Sequence, residues 1–168
     1  LHVKLLDNSN LLQQQAVGVL GVNLIYGAFR FATQPEVLIQ SLIDNVKGRI
    51  NVDMIRMTGP AFENVDNRLL SLMLVKNKLC DVALFNAKGK NVHASEFLYK
   101  KYLLIVRGSF RPATLVNIDM LKKSEAQFRT ESNVDPRKTY TLTEITMKNL
   151  CSSGHLDEKD FLDRESKR

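Results

Sequence analysis

The stretch from Tyr102 to Asn117 leaves this chain few folds to choose from. Its apolar run, Tyr102 to Val106, reads as a strand buried on both faces. The run stops at Arg107-Gly108-Ser109, where Gly108 permits a tight turn and a close approach of backbone to a ligand. From Thr114 a helical spacing takes over, with Ile118, Leu121, Glu125 and Phe128 on one face. Strand, glycine turn and helix in that order aim backbone N–H groups and the positive end of a helix at an anion.

The same alternation extends upstream. Arg49 to Met57 alternates at Ile50, Val52 and Met54 as a strand does, and Thr58-Gly59-Pro60 closes it. Asn64 to Leu79 has helical spacing, with Val65, Leu69, Leu72 and Met73 inward, and Cys80 to Phe85 is the next strand. A short helix from Glu96 to Lys100 leads to Tyr102, and the β-branched stretch Thr139 to Met147 supplies a last strand. The order β, α, β, α, β, α, β predicts an α/β fold with a mostly parallel, doubly wound, Rossmann-like sheet and helices on both faces. Tyr102 to Val106 is expected inside that sheet, with Cys80 to Phe85 among its neighbours. Ligands of such sheets bind beyond the carboxyl ends of the strands, here Thr58 to Pro60, Asn86 to Gly89, and Arg107 to Arg111.

Before this alternation, Leu1 to Leu6 reads as a strand and Leu11 to Phe31 as a helix that is apolar nearly all round. Thr33-Gln34-Pro35-Glu36 has the spacing of a capping box and opens a helix ending at Gly48. A single α/β unit over residues 1–168 is expected, with a sub-boundary near residue 48 where the helical part meets the alternation. The chain opens on Leu1 and stops inside a helical pattern, Asp157 to Arg168, as an internal piece of a longer protein would.

The net charge of +6 has a location. Lys88, Lys90, Lys100, Lys101, Arg107, Arg111, Lys122 and Lys123 are accompanied by only two acids, Glu96 and Asp119, and the rest of the chain is neutral. A positive field round the glycine turn favours an anionic partner; a merely solvated basic face is the plainer reading. Cys80 and Cys151 make neither a disulfide framework nor a metal site, and Cys80 reads as a small buried hydrophobe. The longest apolar run, Ala16 to Phe29, is interrupted by Asn23 and is shorter than the roughly 20 residues that span a bilayer. No membrane role is expected, and a reducing, cytoplasmic setting is the default.

Gly108, Ser109, Phe110, Arg111, Pro112 and Thr114, placed between strand and helix, resemble the first βα turn of the nucleotidyltransferases that adenylylate nicotinate mononucleotide or phosphopantetheine. There the turn precedes a T/H-x-G-H signature that holds the nucleotide phosphates. Arg111 stands where that family has an acid or amide, Val116 replaces its glycine and Asn117 its second histidine. Asparagine donates a hydrogen bond but carries no charge to neutralise a phosphate. Over its whole length the chain resembles a bacterial family whose members carry two incompatible names, nicotinate-nucleotide adenylyltransferase and TonB-dependent receptor. The second implies a β-barrel, which the helical patterns contradict. The first implies a phosphate- or nucleotide-binding site made by Lys101, Arg107, Gly108, Ser109, Phe110, Arg111, Thr114 and Asn117, with ATP and Mg²⁺ as cofactors. The alternative is a non-enzymatic interaction domain whose basic face binds nucleic acid or an acidic protein.

Other constellations are weaker. His2, His93 and His155 are far apart in sequence without ligand spacing, so no metal is expected. His155, in Ser152-Ser153-Gly154-His155, reads as part of a loop. Asp66, ahead of Asn67 and Arg68, suits a helix N-terminus and reads as a cap rather than a catalyst.

Overall fold

The structure, a computed structural model, describes residues 1–151 and 156–166; Ser152 to His155, read above as part of a loop, lie outside them. The chain divides into two compact units, Leu1–His93 and Ala94–Arg168.

In the first unit, β1 (His2–Leu5) pairs antiparallel with β2 (Ile50–Met54). Between them run α1 (Asn10–Arg30) and α2 (Pro35–Leu42). The alternation at Ile50 and Val52 has its expected consequence, since both are fully buried or nearly so. The residue 48 region lies inside this unit, where a bridge joins Lys47 to Ile50. On its other edge β2 receives Leu79, whose carbonyl accepts from the Val52 N–H at 3.1 Å. Arg49 ties the first turn to β2 by an ion pair with Asp7 at 2.8 Å and a bond to the Leu12 carbonyl.

The core of this unit comes from α1 (Ala16, Leu20), α2 (Leu38, Ile39, Leu42), β2, and α3 (Asn67–Lys76), which contributes Leu70, Met73 and Leu74. Gly27 lets α1 approach α2 closely, because a Cβ there would lie 2.6 Å from Ser41 Oγ. Asn23 completes the joint by donating to the Leu42 and Asp44 carbonyls at the end of α2. The capping box at Thr33 does not form. The helix begins at Pro35 with Gln34 before it, which leaves Thr33 one position too early to reach the orphan N–H groups.

Only Leu84–Phe85 of the expected strand Cys80 to Phe85 forms a strand. This β3 pairs antiparallel with β4 (Asn91–Val92) and has no pairing with the run at Tyr102. The cause is local. Asn86 Oδ1 accepts from the N–H groups of Lys88 and Lys90, and Gly89 takes φ +70°, so the chain folds back as a tight hairpin. A crossover helix does not intervene.

In the second unit, α4 (Ala94–Phe97) precedes β5 (Tyr102–Arg107), which pairs in register and parallel with β6 (Thr139–Glu144). The crossover between them contains α5 (Leu115–Phe128), which packs on β5. Two further helices, α6 (Met147–Leu150) and α7 (Glu158–Ser166), bury Leu150 and Phe161.

The chain is therefore a mixed α/β protein with one parallel strand pair, and its described strands form three two-stranded sheets. The expectation of an interior strand at Tyr102 is corrected. Among the described residues β5 has a single partner, and Ile105 remains 53% exposed. A short apolar run fits a one-sided strand as well as a doubly covered one, because it carries no alternation to distinguish them. Among the described residues no helix is long and apolar enough to cross a membrane.

Candidate functional site

The glycine turn stands at the carboxyl end of β5, as expected, but its groups are already engaged. The Gly108 N–H donates to the Glu144 carbonyl at 3.1 Å and so extends the β5–β6 ladder. Phe110, at φ +47°, folds its ring over Gly108, where an added Cβ would lie 3.1 Å from it. Arg107 pairs with Glu144 at 2.9 Å, and Arg111 with Asp160 at 3.4 Å.

At the start of α5, Thr114 and Asn117 bond each other. The Asn117 N–H donates to Thr114 Oγ1, and the Thr114 N–H donates to Asn117 Oδ1 at 2.9 Å. This is a reciprocal capping box, which satisfies two of the donors a phosphate would otherwise use. Ser109 is exposed. Lys101 does not join the group. It precedes β5 at the other end of the strand, roughly 20 Å away at about 3.3 Å per residue, with its ammonium 5.0 Å from the Tyr140 ring.

The basic stretch is likewise divided. Lys88 and Lys90 belong to the hairpin of the first unit and the other six cations to the second. Lys123 pairs with Asp119, and Lys100 lies over the Tyr99 ring.

A cleft of about 510 Å³ opens in the first unit where the chain leaving β2 meets the start of α3 and the β3–β4 turn. Thr58 and Gly89 both line it, so two of the three strand ends marked in the sequence come together here. Asn67 and Asn91 line it and belong to a buried polar network. Asn91 donates to the Ile55 carbonyl at 2.8 Å and to Ser71 Oγ at 3.2 Å, and Ser71 in turn donates to the Asn67 carbonyl.

Asp66 caps α3 as expected, accepting from the Arg68 N–H at 2.9 Å. The Arg68 guanidinium hydrogen-bonded to Asp66 holds its carboxyl below the usual aspartate range, against the opposing effect of burial. Arg56 and Lys90, both exposed, add two cations to the lining, and Glu63 adds an acid. Among the described residues neither Arg56 nor Lys90 is held in an ion pair, which leaves both available to an anionic ligand.

Strand pairing also assembles a cluster that linear spacing hides. His2 of β1, Asp53 of β2 and His93, next after β4, converge although 51 and 40 positions separate them. His2 Nδ1 lies 3.0 Å and His93 Nε2 3.8 Å from Asp53 Oδ2, and the two rings are 3.9 Å apart. Only the alternation of β1 against β2 hints at the first of these meetings. Cys80 stands half-buried, and burial pushes its thiol up to about 11.

Fold and sites together define a mixed α/β protein with a polar, partly cationic cleft. Comparison with protein-family models, with curated proteins and with solved structures finds no match.

Proposed function

We propose that the chain binds a small phosphate-bearing molecule of the nucleotide class, and that the cleft beside α3 receives it. The observation that carries this reading is the pair of cations, Arg56 and Lys90, on the lining of a cleft of about 510 Å³. That volume falls in the range of small-ligand sites, and a lining of mostly polar and charged residues suits a hydrogen-bonding ligand better than an apolar one. Adenylyl transfer with ATP and Mg²⁺ is the finer form of the proposal and rests on the resemblance at Gly108 to Thr114. The β5–α5–β6 crossover, being parallel, is compatible with one βαβ element of a doubly wound sheet. Use of the glycine turn would require a ligand to displace the bonds between Thr114 and Asn117.

Calorimetric titration with ATP tests this. Arg56→Ala combined with Lys90→Ala is expected to weaken ATP by more than tenfold, since each charge-assisted contact contributes about 1.5–3 kcal/mol. Unchanged affinity in the folded double variant, with a loss in Thr114→Ala, would move the site to the glycine turn.

A second reading, an interaction domain, has support in α5. Leu115 and Val116 are 83% and 74% exposed and precede Lys122 and Lys123 on the same helix. Apolar exposure beside positive charge suits an acidic protein partner better than a single-stranded nucleic acid, which would call for stacking aromatics. Absence of ATP binding by the parent, with salt-sensitive binding to an acidic polypeptide, would favour it.

A further inference from the structure

We propose that His2, Asp53 and His93 form a binding site for a divalent transition-metal ion of the Zn²⁺ type. This site is independent of the cleft reading, and either can fail alone.

The frame comes from strand register. His2 pairs with Met54 and Val3 with Val52, so Asp53 is the extra residue at an irregularity in the β1–β2 ladder. Bulges of this kind re-aim a side chain. Here the Asp53 carboxylate reaches His2 Nδ1 at 3.0 Å. His93 is brought to the same oxygen by the β3–β4 hairpin, and one ligand atom from each residue lies within 4.8 Å of the other two. Ligand atoms on a tetrahedral Zn²⁺, with bonds of about 2.0–2.1 Å, stand about 3.4 Å apart. Closing the set on an ion therefore takes side-chain shifts on the order of 1 Å.

The donor chemistry narrows the ion. Two imidazoles and one carboxylate suit Zn²⁺, Co²⁺, Fe²⁺ or Ni²⁺, whereas Mg²⁺ and Ca²⁺ require oxygen ligands. Three protein ligands leave at least one coordination position for water or substrate. Exposure falls from His2, 47%, through Asp53, 33%, to His93, 10%, so the site opens to solvent on the His2 side. A dication would also suit two imidazole rings 3.9 Å apart that share one carboxylate.

The test titrates metal-stripped, untagged chain with Zn²⁺ in competition with a chromogenic chelator, and with Co²⁺ for its visible spectrum. One Zn²⁺ per chain is expected, undisturbed by excess Mg²⁺. Asp53→Asn, which keeps the shape of the side chain, and His93→Ala should each weaken Zn²⁺ by more than roughly tenfold, a loss that even outer-shell partners inflict. His2→Ala, at an exposed strand position, serves where circular dichroism shows His93→Ala unfolded. Zn²⁺ should also raise the unfolding midpoint of the parent and not of the variants. No saturable one-to-one binding overturns the site, as does parent-like affinity in folded Asp53→Asn and His2→Ala.

Discussion

The Asn67 side chain pairs with both backbone groups of Met57: its Oδ1 accepts from the Met57 N–H at 2.6 Å, and its Nδ2 donates to the Met57 carbonyl at 2.9 Å. A helix residue thus takes the place of a neighbouring strand just after β2, where the described residues supply none. Met57 is 8% exposed, so water cannot readily take over either bond. Asn67→Ala should cost about 2–4 kcal/mol, since each buried group left unpaired costs about 1–3 kcal/mol. Asn67→Asp keeps the acceptor but sets a carboxylate oxygen against a carbonyl, and should be destabilising too. Denaturant midpoints check both; a change in Asn67→Ala below about 0.5 kcal/mol, the range of ordinary surface substitutions, would remove this joint from the account.

What was legible in the sequence was local. The α1 helix, the buried Ile50 and Val52, and the Asp66 cap follow from period and capping chemistry within a few residues. Pairing was not legible, because it depends on which strands meet. The run at Tyr102 looked the same whether it had one neighbour or two, and Asn86 turned the next segment into a hairpin. The resemblance makes Thr114 and Asn117 phosphate ligands, although Thr-x-x-Asn also has the spacing of a capping box, and that is how they are used. The meeting of His2 with His93 rests on two strand pairings in separate sheets, which no spacing rule expresses.

The Asp66 pair gives a pH dependence with a definite sign. Its folded-state carboxyl titrates below the ordinary aspartate value, chiefly through the Arg68 hydrogen bond. The stability it contributes is therefore fully present above about pH 4 and is lost as pH falls through the depressed folded value. Asp66→Asn retains a good N-cap and removes the charge. That variant should show a shallower loss of stability than the parent on acidification below pH 4. Parallel curves for the two proteins would assign the acid sensitivity elsewhere.

Glycines in α1 should separate into two kinds. Gly18 and Gly21 have open space where a Cβ would go, so Gly18→Ala and Gly21→Ala should each stabilise by about 0.5–1 kcal/mol through helix propensity. Gly27→Ala places its Cβ 2.6 Å from Ser41 Oγ and should forfeit that gain or reverse it. Removing the obstacle with Ser41→Ala should restore a stabilising effect of Gly27→Ala. Thermal unfolding of the four proteins in this cycle provides the check, and equal effects of alanine at 18, 21 and 27 would contradict the close approach of α1 to α2.

Cys80 should behave as a suppressed thiol. Burial is the main cause of its rise from 9.0 to about 11, with the charges of Asp53 and Asp81 acting in the same direction. At pH 8 such a rise lowers the thiolate fraction about a hundredfold, and the thiolate is the species that reacts. In a Cys151→Ser background, iodoacetamide should therefore label the native chain far more slowly than the chain in urea. The sign of the linked effect on stability follows from proton counts. Above pH 9 the unfolded thiol loses its proton while the folded one keeps it, so stability falls as pH rises from about 9 to 11. Screening at a half-buried group limits that loss to roughly 1 kcal/mol. Cys80→Ala should flatten the decline over this range, and labelling as fast in the native chain as in urea would show that the thiol is not buried in solution.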